Sequence, residues 1–357
     1  IMLLVVLLLF AFLQNVASTN FSQAEYEALY DLYTATGGNE WRWVPSGNRK
    51  PWDFTVYENP CVEKWQGIQC AVNKQQNISH VVKLLLPSYN LVGHLPESLG
   101  NFPMLRNLVL KNNSLSGSFP SGVGNLASLQ VLNMNRNAFS QSLPSSLGNL
   151  KRLTVLDFFI NKLTGTIPEF LNGLFRLRYL DVYTNLLTGP IPDFMGNLHR
   201  LQYFYLGDNH LDGTLSSSLG NLSKAINFYV DQNHLYGTIP PQLSNLQSVA
   251  YLFLYDNMLS GGLTGLFDPN LQQNLSIVLL SDNQITGPLP AELFLLPNLT
   301  VIDAGSNCIE NDPLSDAICH GTRLQTIALD GMHTASACRK RILSGITSTY
   351  LLSPALR

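Results

Sequence analysis

Apolar residues recur with a period of 24 residues through the middle of the chain. The repeated pattern is L-x-x-L-x-L-x-x-N-x-L-x-G-x-[IL]-P, and it runs from Val81 to Asn307. Columns that stay in phase over so many units indicate a repeat array, in which stacked units share one core. The spacing changes once, to 26 residues. The asparagine of the pattern falls at Asn113, Asn137, Asn161, Asn185, Asn209, Asn233, Asn257, Asn283 and Asn307.

Each unit predicts a short strand, a turn and a back segment that ends in a sequence such as LGNL. The asparagine column predicts an internal ladder, because each side-chain amide can satisfy backbone groups of the turn that follows the strand. A glycine follows the asparagine by four residues in most units, which predicts a turn with positive φ at that place. Gln141 occupies this position in one unit.

The segment YFYLGDN, residues 203 to 209, places three consecutive rings in one predicted strand. The period puts Phe204 in the core, and the alternation of side chains along a strand then puts Tyr203 and Tyr205 on the open face of the sheet. The same outward positions in the fourth to eighth repeats are rich in rings and acids. The candidate ligand-binding residues are Asp157, Phe159, Tyr179, Asp181, Tyr183, Tyr203, Tyr205, Asp208, Tyr229, Asp231, Tyr251, Phe253, Tyr255 and Asp256.

Two interpretations of these rings compete. Strand propensity and ring packing between neighbouring strands would both favour tyrosine at such positions. The same pressure acts on the first three repeats, yet their outward positions hold no ring. We therefore interpret the rings as a binding surface, since tyrosine offers a large contact area at a small entropic cost.

Composition and motifs argue against several other functions. The formal net charge is −3 and no basic run stands out, so nucleic acid is not an expected partner. Asp157 and Asp181 share a column at a spacing that retaining glycosidases use, but an open sheet supplies no catalytic cleft. His210 and His234 also share a column, and solvated turn histidines explain them better than a metal site does. We expect no enzyme activity, no catalytic residues, no cofactor and no metal.

The two ends of the chain differ from the repeats. Residues 1–18 contain an apolar core, Leu3 to Leu13, of the length found in signal peptides. Residues 19–80 read as an N-terminal cap with a helix that starts at a capping box, Ser22 to Glu25, and with all 4 tryptophans. Residues 308–357 read as a C-terminal cap with one further strand. The glycosylation sequons, which also favour export, are at Asn20, Asn77, Asn112, Asn221, Asn274 and Asn298.

Segments such as NKLTGTIPEFLNGL and NLLTGPIPDFMGNL resemble the leucine-rich repeat family in its plant-type form. The resemblance covers residues 81–307. It implies an α/β solenoid, a curved right-handed superhelix of about ten repeats with a concave parallel β-sheet and two caps. CVEKWQGIQC is similar to the paired-cysteine N-terminal cap of this family, which implies a Cys61–Cys70 disulfide. In the C-terminal cap, Cys308–Cys319 is favoured slightly over a bond that involves Cys338.

The resemblance extends to receptor ectodomains and to polygalacturonase-inhibiting proteins of plants. We therefore expect a secreted or extracellular recognition protein that binds a protein or peptide partner through the concave face of repeats 4–8. Carbohydrate binding, inhibition of an enzyme and a structural role at the cell surface are the alternatives. Contact with a membrane is expected only through an anchor that these 357 residues do not include.

Overall fold

The structure, a computed structural model, describes residues 20–45, 47–309, 319, 321 and 323–329. The signal-peptide prediction and most of the predicted C-terminal cap therefore lie outside the described residues. The chain forms two compact units, unit 1 (Ile1–Lys162) and unit 2 (Leu163–Arg357). Among the described residues, no helix combines the length and the apolar character needed to cross a bilayer.

Unit 1 begins with the cap and continues with the first repeats. One helix, α1 (Gln23–Ala35), precedes the strands. The strands are β1 (Asn20–Phe21), β2 (Ile68–Asn73), β3 (Ile78–Leu85), β4 (Val92–Gly93), β5 (Asn107–Val109), β6 (Ser114–Gly117), β7 (Val131–Asn133), β8 (Ala138–Gln141) and β9 (Val155–Asp157), and β10 (Lys162–Leu163) spans the boundary between the units.

Unit 2 holds the remaining repeats. Its strands are β11 (Tyr179–Asp181), β12 (Thr188–Pro190), β13 (Tyr203–Tyr205), β14 (His210–Asp212), β15 (Asn227–Tyr229), β16 (Tyr236–Thr238), β17 (Tyr251–Phe253), β18 (Met258–Gly261), β19 (Ile277–Leu279), β20 (Gln284–Gly287), β21 (Val301–Asp303), β22 (Cys308–Ile309) and β23 (Thr326–Ala328). A short helix, α2 (Ala291–Phe294), lies in one of its back segments. The strand β23 lies in the sequence LQTIAL, residues 324 to 329, which is where the further strand of the C-terminal cap is predicted.

The odd-numbered strands form the main sheet of each unit. In unit 1, β1, β3, β5, β7 and β9 lie side by side in that order, and β2 pairs antiparallel with β3. In unit 2, β11 to β23 follow the same order, and each strand pairs with the next parallel and in register. The predicted solenoid with a parallel sheet is therefore confirmed.

The back segments of most repeats are single turns of 3-10 helix. They begin after a proline or a serine in extended conformation and end at the asparagine or glycine of the LGNL-type sequence. A glycine within so short a segment discourages a longer α-helix. These turns are Glu97–Asn101, Ser121–Asn125, Ser145–Asn149, Glu169–Gly173, Asp193–Asn197, Ser217–Asn221 and Pro241–Asn245, and Gly38–Glu40 is a further one in the cap.

The asparagine ladder is confirmed. Asn209 is buried, and its Oδ1 accepts a hydrogen bond from the backbone N–H of Leu187 at 3.0 Å. Its Nδ2 donates to the carbonyl oxygens of Val182, Leu206 and Gly207 at 3.0–3.2 Å. Asn137, Asn233 and the other column members repeat this pattern, so the amides replace the partners that these backbone groups lose at the strand end.

The glycine column has the predicted positive φ, for example 80° at Gly213 and 77° at Gly237. Gln141 adopts the same conformation, with φ 66°, although it carries a side chain. A second column with positive φ lies directly before the ladder asparagine, and no sequence pattern had indicated it. It includes the β-branched residues Ile160 and Thr184, at φ 51° and 56°.

The N-terminal cap closes around its tryptophans. Trp41, Trp52 and Trp65 are buried, and the rings of Trp52 and Trp65 stack with centroids 5.8 Å apart. Cys61 and Cys70 form the predicted disulfide. The helix α1 does begin after Ser22, but the predicted capping box is wrong because Ser22 makes no side-chain cap. Glu25 instead turns inward, where it is fully buried, and contacts His80 at 3.2 Å.

The favoured pairing of the C-terminal cap is also wrong. Cys308 is an exposed free cysteine on β22, a strand that pairs with β20 at the surface. Cys319 is disulfide-bonded, so its bond does not involve Cys308. The alternative through Cys338 concerns a position outside the described residues.

Candidate functional site

The open face of the unit 2 sheet carries three columns of side chains that repeat from strand to strand. The strand register aligns Tyr179, Tyr203, Asn227 and Tyr251 in the first column. It aligns Asp181, Tyr205, Tyr229 and Phe253 in the second column. The third column follows the strand ends and contains Tyr183, Gly207, Asp231 and Tyr255. We call the side chains of these columns the aromatic face.

The register predicted for YFYLGDN is that of the structure. Phe204 has 0% of its surface exposed, and its ring packs on Phe228 in the core with centroids 5.0 Å apart. Tyr203 and Tyr205 are half-buried on the aromatic face. The core therefore needs the middle ring of the three, whereas the outer two rings remain available at the surface.

The rings of the second column pack against one another. The centroids of Tyr205 and Tyr229 are 4.8 Å apart. Tyr229 and Phe253 lie 4.1 Å apart with an angle of 8° between their planes, which is a parallel stack. Tyr179 extends this row with an edge contact to Tyr205 at 5.6 Å. The stack is a continuous apolar strip, and contacts within the protein bury part of it: Phe253 is only 6% exposed.

Hydroxyl groups of the aromatic face fall into two classes. Asn227 donates from Nδ2 to the hydroxyl oxygens of Tyr205 and Tyr229, at 2.7 and 3.3 Å. Burial raises the pKa of Tyr205 to about 12, so this phenol stays neutral. By contrast, the hydroxyl groups of Tyr203 and Tyr251 make no hydrogen bond to any residue that the structure describes. These two hydroxyls are available to a ligand.

Asp231 is the most buried acid of the aromatic face. None of its surface is exposed, and its Oδ2 accepts a hydrogen bond of 2.5 Å from the hydroxyl of Tyr183. Its Oδ1 is buried as well and has no hydrogen-bond partner among the described residues. Burial raises the pKa of Asp231 to about 6, against the opposing effect of the bonds from Tyr183 and Tyr255.

Gly207 makes the contact between Tyr183 and Asp231 possible. These two residues are two repeats apart, and the ring of Tyr183 crosses the repeat between them above Gly207. A Cβ atom at position 207 would lie 2.3 Å from Cε2 of Tyr183 and 2.9 Å from Oδ1 of Asp231. Any larger residue here would displace the ring, so Gly207 is part of the site although the sequence analysis did not include it.

The other three candidate acids in unit 2 occupy two environments. Asp181 is buried and accepts hydrogen bonds from the hydroxyl of Tyr179 at 2.9 Å and from the backbone N–H of Tyr183 at 3.0 Å. Asp208 and Asp256 stand at the edge of the face in left-handed conformation, with φ 50° and 52°. Asp256 is exposed and Asp208 is half-exposed, so the edge carries accessible negative charge.

Asp157 and Phe159 belong to unit 1, where they occupy the open face of its sheet. Asp157 is buried, and its Oδ2 accepts hydrogen bonds of 2.7 Å from both Asn133 and Asn135. Its Oδ1 accepts the backbone N–H of Phe159 at 3.1 Å. Burial raises the pKa of Asp157. The ring of Phe159 lies under the guanidinium of Arg136, at 5.3 Å from the ring centroid to Cζ.

The sequons differ in accessibility. Asn20, Asn77, Asn112, Asn221 and Asn274 are exposed, as glycosylation requires. Asn298 is half-buried, and its Nδ2 donates to the carbonyl oxygen of Gln273 at 2.7 Å.

His210 and His234 stack with centroids 5.7 Å apart. Within the described ranges, no group of three or more potential ligands could hold a metal ion.

Comparisons with known proteins agree with this architecture. A family model described as Leucine Rich Repeat matches residues 104–126, 128–150, 176–198 and 200–222. A comparison with curated protein sequences found no significant match.

Several solved structures are similar to the chain. One is the leucine-rich-repeat ectodomain of the membrane receptor kinase GASSHO1/SCHENGEN3 from Arabidopsis thaliana, in complex with Casparian strip integrity factor 2; it is 32% identical, with a TM-score of 0.71, over 75% of this chain and 32% of that chain. The PEPR1–AtPEP1 complex is 27% identical, with a TM-score of 0.72, over 86% of this chain and 45% of that chain. A plant ice-binding protein is 25% identical, with a TM-score of 0.69, over 89% of this chain and 100% of that chain.

The chain thus spans less than half the length of the two receptor proteins that it matches. The repeats, the in-register parallel strands and the asparagine ladder agree with these similarities. Together they show that the chain has the leucine-rich-repeat fold, with repeats of the plant-type, 24-residue form.

Proposed function

We propose that the chain is an extracellular recognition protein that binds a peptide or protein partner on the aromatic face of unit 2. The observation that carries this proposal is the stacked strip of Tyr205, Tyr229 and Phe253, which is flanked by Tyr203 and Tyr251, whose hydroxyls have no partner among the described residues. Rigid aromatic side chains with free polar tips are typical of protein-binding surfaces.

The charges of the face favour a partner with basic groups at the contact. Asp208 and Asp256 offer accessible carboxylates at the edge. Asp231 lies in the same face as a buried carboxylate, and its Oδ1 has no hydrogen-bond partner among the described residues. An arginine or lysine side chain could lie along the rings with its aliphatic part while its charged end reaches the acids.

The packing of the rings favours a peptide over a carbohydrate. A sugar would need an uncovered ring face on which to stack. The parallel contact between Tyr229 and Phe253 leaves the facing sides of both rings inaccessible. A peptide can instead use ring edges and hydroxyl groups, which the first column presents.

The similar structures support the same class of function. Two of them are receptor proteins that were solved with Casparian strip integrity factor 2 and with AtPEP1. Their similarity also supports an extracellular location for this chain, and a role in binding rather than in catalysis. Enzyme inhibition of the polygalacturonase-inhibitor type would use the same kind of surface, with a folded protein as the partner.

Selection of random peptides displayed on phage would test this proposal. The protein is immobilised through its C-terminus, and bound phage are eluted and sequenced. We expect enrichment of peptides that contain arginine or lysine together with an apolar residue, and we expect these basic peptides to compete with one another for one site. Enrichment of acidic peptides only, or recovery of no sequence above background, would contradict the proposal. Binding of oligosaccharides in place of peptides would favour the carbohydrate alternative.

A further inference from the structure

A second, separate site is suggested by a shallow depression on unit 1. It is lined by Ser88, Lys111, Asn112, Asn135, Arg136 and Phe159. All of these residues lie on or beside the open face of the unit 1 sheet, at the ends of successive strands. None of them belongs to the aromatic face, and the inference goes beyond the function proposed for that face.

The depression concentrates positive charge, and no acid that the structure describes forms an ion pair with it. Lys111 and Arg136 are both exposed. The ion pairs among the described residues involve Lys50 and His80 and neither of these two cations. The charge of Asp157 acts on Lys111, but the carboxylate of Asp157 is buried and already bonded to Asn133, Asn135 and the backbone of Phe159. Both cations therefore remain available to a ligand.

The shape of the depression holds one cation in place. The guanidinium of Arg136 lies over the ring of Phe159, with its Cζ 5.3 Å from the ring centroid. Arg136 is exposed, and its guanidinium carries five N–H donors. Asn112 is fixed by a hydrogen bond of 2.8 Å from its Nδ2 to the hydroxyl of Ser88. The side-chain donors of Arg136 and Asn112 therefore lie around the apolar ring of Phe159.

Several backbone N–H groups around the depression are already bonded. The N–H groups of Ser88, Asn112 and Arg136 all donate to carbonyl oxygens of the next repeat, at 2.7–3.0 Å. A phosphate site usually draws on several free backbone N–H groups. A planar carboxylate, in contrast, can pair with a guanidinium edge and an ammonium group alone.

We propose that this depression binds a carboxylate group of an acidic peptide, with Arg136 and Lys111 as its charge partners. Asn112 and Ser88 border the bound group, and Phe159 supports the guanidinium from below. The contact is electrostatic and solvent-accessible, so its affinity falls as the salt concentration rises.

Isothermal titration with hexaglutamate tests the proposal, with hexaglutamine as the neutral probe of equal length. We expect hexaglutamate to bind and hexaglutamine not to bind. We expect the K111A/R136A variant to lose at least ~10-fold in affinity, as removal of two charged contacts should. The control variant K151A/R152A removes two exposed cations of the same unit that lie outside the depression, and it should bind as the unaltered protein does.

Three results would overturn the proposal. The first is equal affinity of K111A/R136A and K151A/R152A for hexaglutamate, and the second is equal binding of hexaglutamate and hexaglutamine. The third is displacement of hexaglutamate by inorganic phosphate at lower concentration than by acetate, which would show a site that prefers phosphate. Because Asn112 starts a sequon, the titration is repeated with N112Q. Binding that appears only in N112Q would support the site and show that a glycan covers it.

Discussion

The pair formed by Glu25 and His80 makes the stability of the N-terminal cap depend on pH. Glu25 is fully buried in α1, and one of its carboxylate oxygens has no hydrogen-bond partner among the described residues. Burial raises its pKa from 4.5 to about 8, although a bond from the backbone of Val81 opposes the shift. Burial also lowers the pKa of His80 below its ordinary value of 6.5. Both groups are therefore neutral in the folded protein near pH 7.

The signs of the two effects differ. Between pH 4.5 and about 8, Glu25 keeps a proton in the folded state that it loses on unfolding, so its contribution to stability falls as pH rises. His80 has the opposite effect below pH 6.5, because there the unfolded state binds the extra proton. Above pH 6.5 the compensating effect of His80 fades, and the effect of Glu25 comes to dominate.

The expected size follows from that window. About 1.5 pH units at ~1.4 kcal/mol each give a loss of about 2 kcal/mol in the free energy of unfolding between pH 6.5 and 8. Glu25→Gln removes the titration and keeps the shape of the side chain. We therefore expect the variant to lose about 2 kcal/mol less than the unaltered protein over this interval.

Urea unfolding followed by tryptophan fluorescence is a suitable assay, because all 4 tryptophans lie in this cap. Unfolding curves are recorded at pH 6.5 and at pH 8 for both proteins. Parallel losses of stability in the two proteins would refute the reasoning, since Glu25 could not then be the group that titrates. A variant that loses more stability than the unaltered protein would also refute it.

Three further predictions concern the repeats. Gln141→Gly should raise the free energy of unfolding by about 0.5–1 kcal/mol, because glycine accepts φ 66° without strain; an unchanged or lower melting temperature would argue against strain at this position. Asn209→Ala should lower the free energy of unfolding by about 2–3 kcal/mol, since the backbone N–H of Leu187 and three carbonyl oxygens lose their partner. A urea midpoint equal to that of the unaltered protein would contradict the ladder. Gly207→Ala should lower the free energy of unfolding by about 1–3 kcal/mol, because the ring of Tyr183 must move. In the control Gly262→Ala the added Cβ meets no atom closer than 3.9 Å. Equal melting temperatures for the two variants would show that Tyr183 does not depend on Gly207.

The sequence predicted the strand register well, because the period of the leucines and the ladder asparagine leave one way to face the core. Phe204 illustrates this, since a slip of one residue would exchange it with Tyr203 or Tyr205. The glycine column also gave its conformation correctly, and Gln141 follows the column although its residue type departs from it. These features depend on repeated local geometry, which the sequence displays directly.

Contacts between distant side chains were harder to predict. The bridge from Tyr183 to Asp231 skips one repeat, and only the missing side chain of Gly207 leaves room for it. Glu25 matched a capping box by sequence, but burial against His80 decided its role. The sequence placed the tyrosines of the second column on the open face, but it did not decide between packing and exposure, and in the structure they stack on one another. In each case the outcome depends on a packing partner whose position no short pattern shows.

The central claim is that the aromatic face of unit 2 binds the partner, and the affinity of a selected peptide tests it most directly. Dissociation constants are measured by isothermal titration for the unaltered protein and two variants. Y203A/Y251A removes the two free hydroxyls and their rings from the face. Y57A/Y236A is the matched control, since these tyrosines are 60% and 51% exposed and lie elsewhere.

We predict that Y203A/Y251A binds at least ~10-fold more weakly than the unaltered protein, because anchoring rings typically contribute ~2 kcal/mol or more. The control should bind with unchanged affinity. Equal dissociation constants for all three proteins would contradict the claim, and the rings of the aromatic face would then serve the packing of the sheet alone.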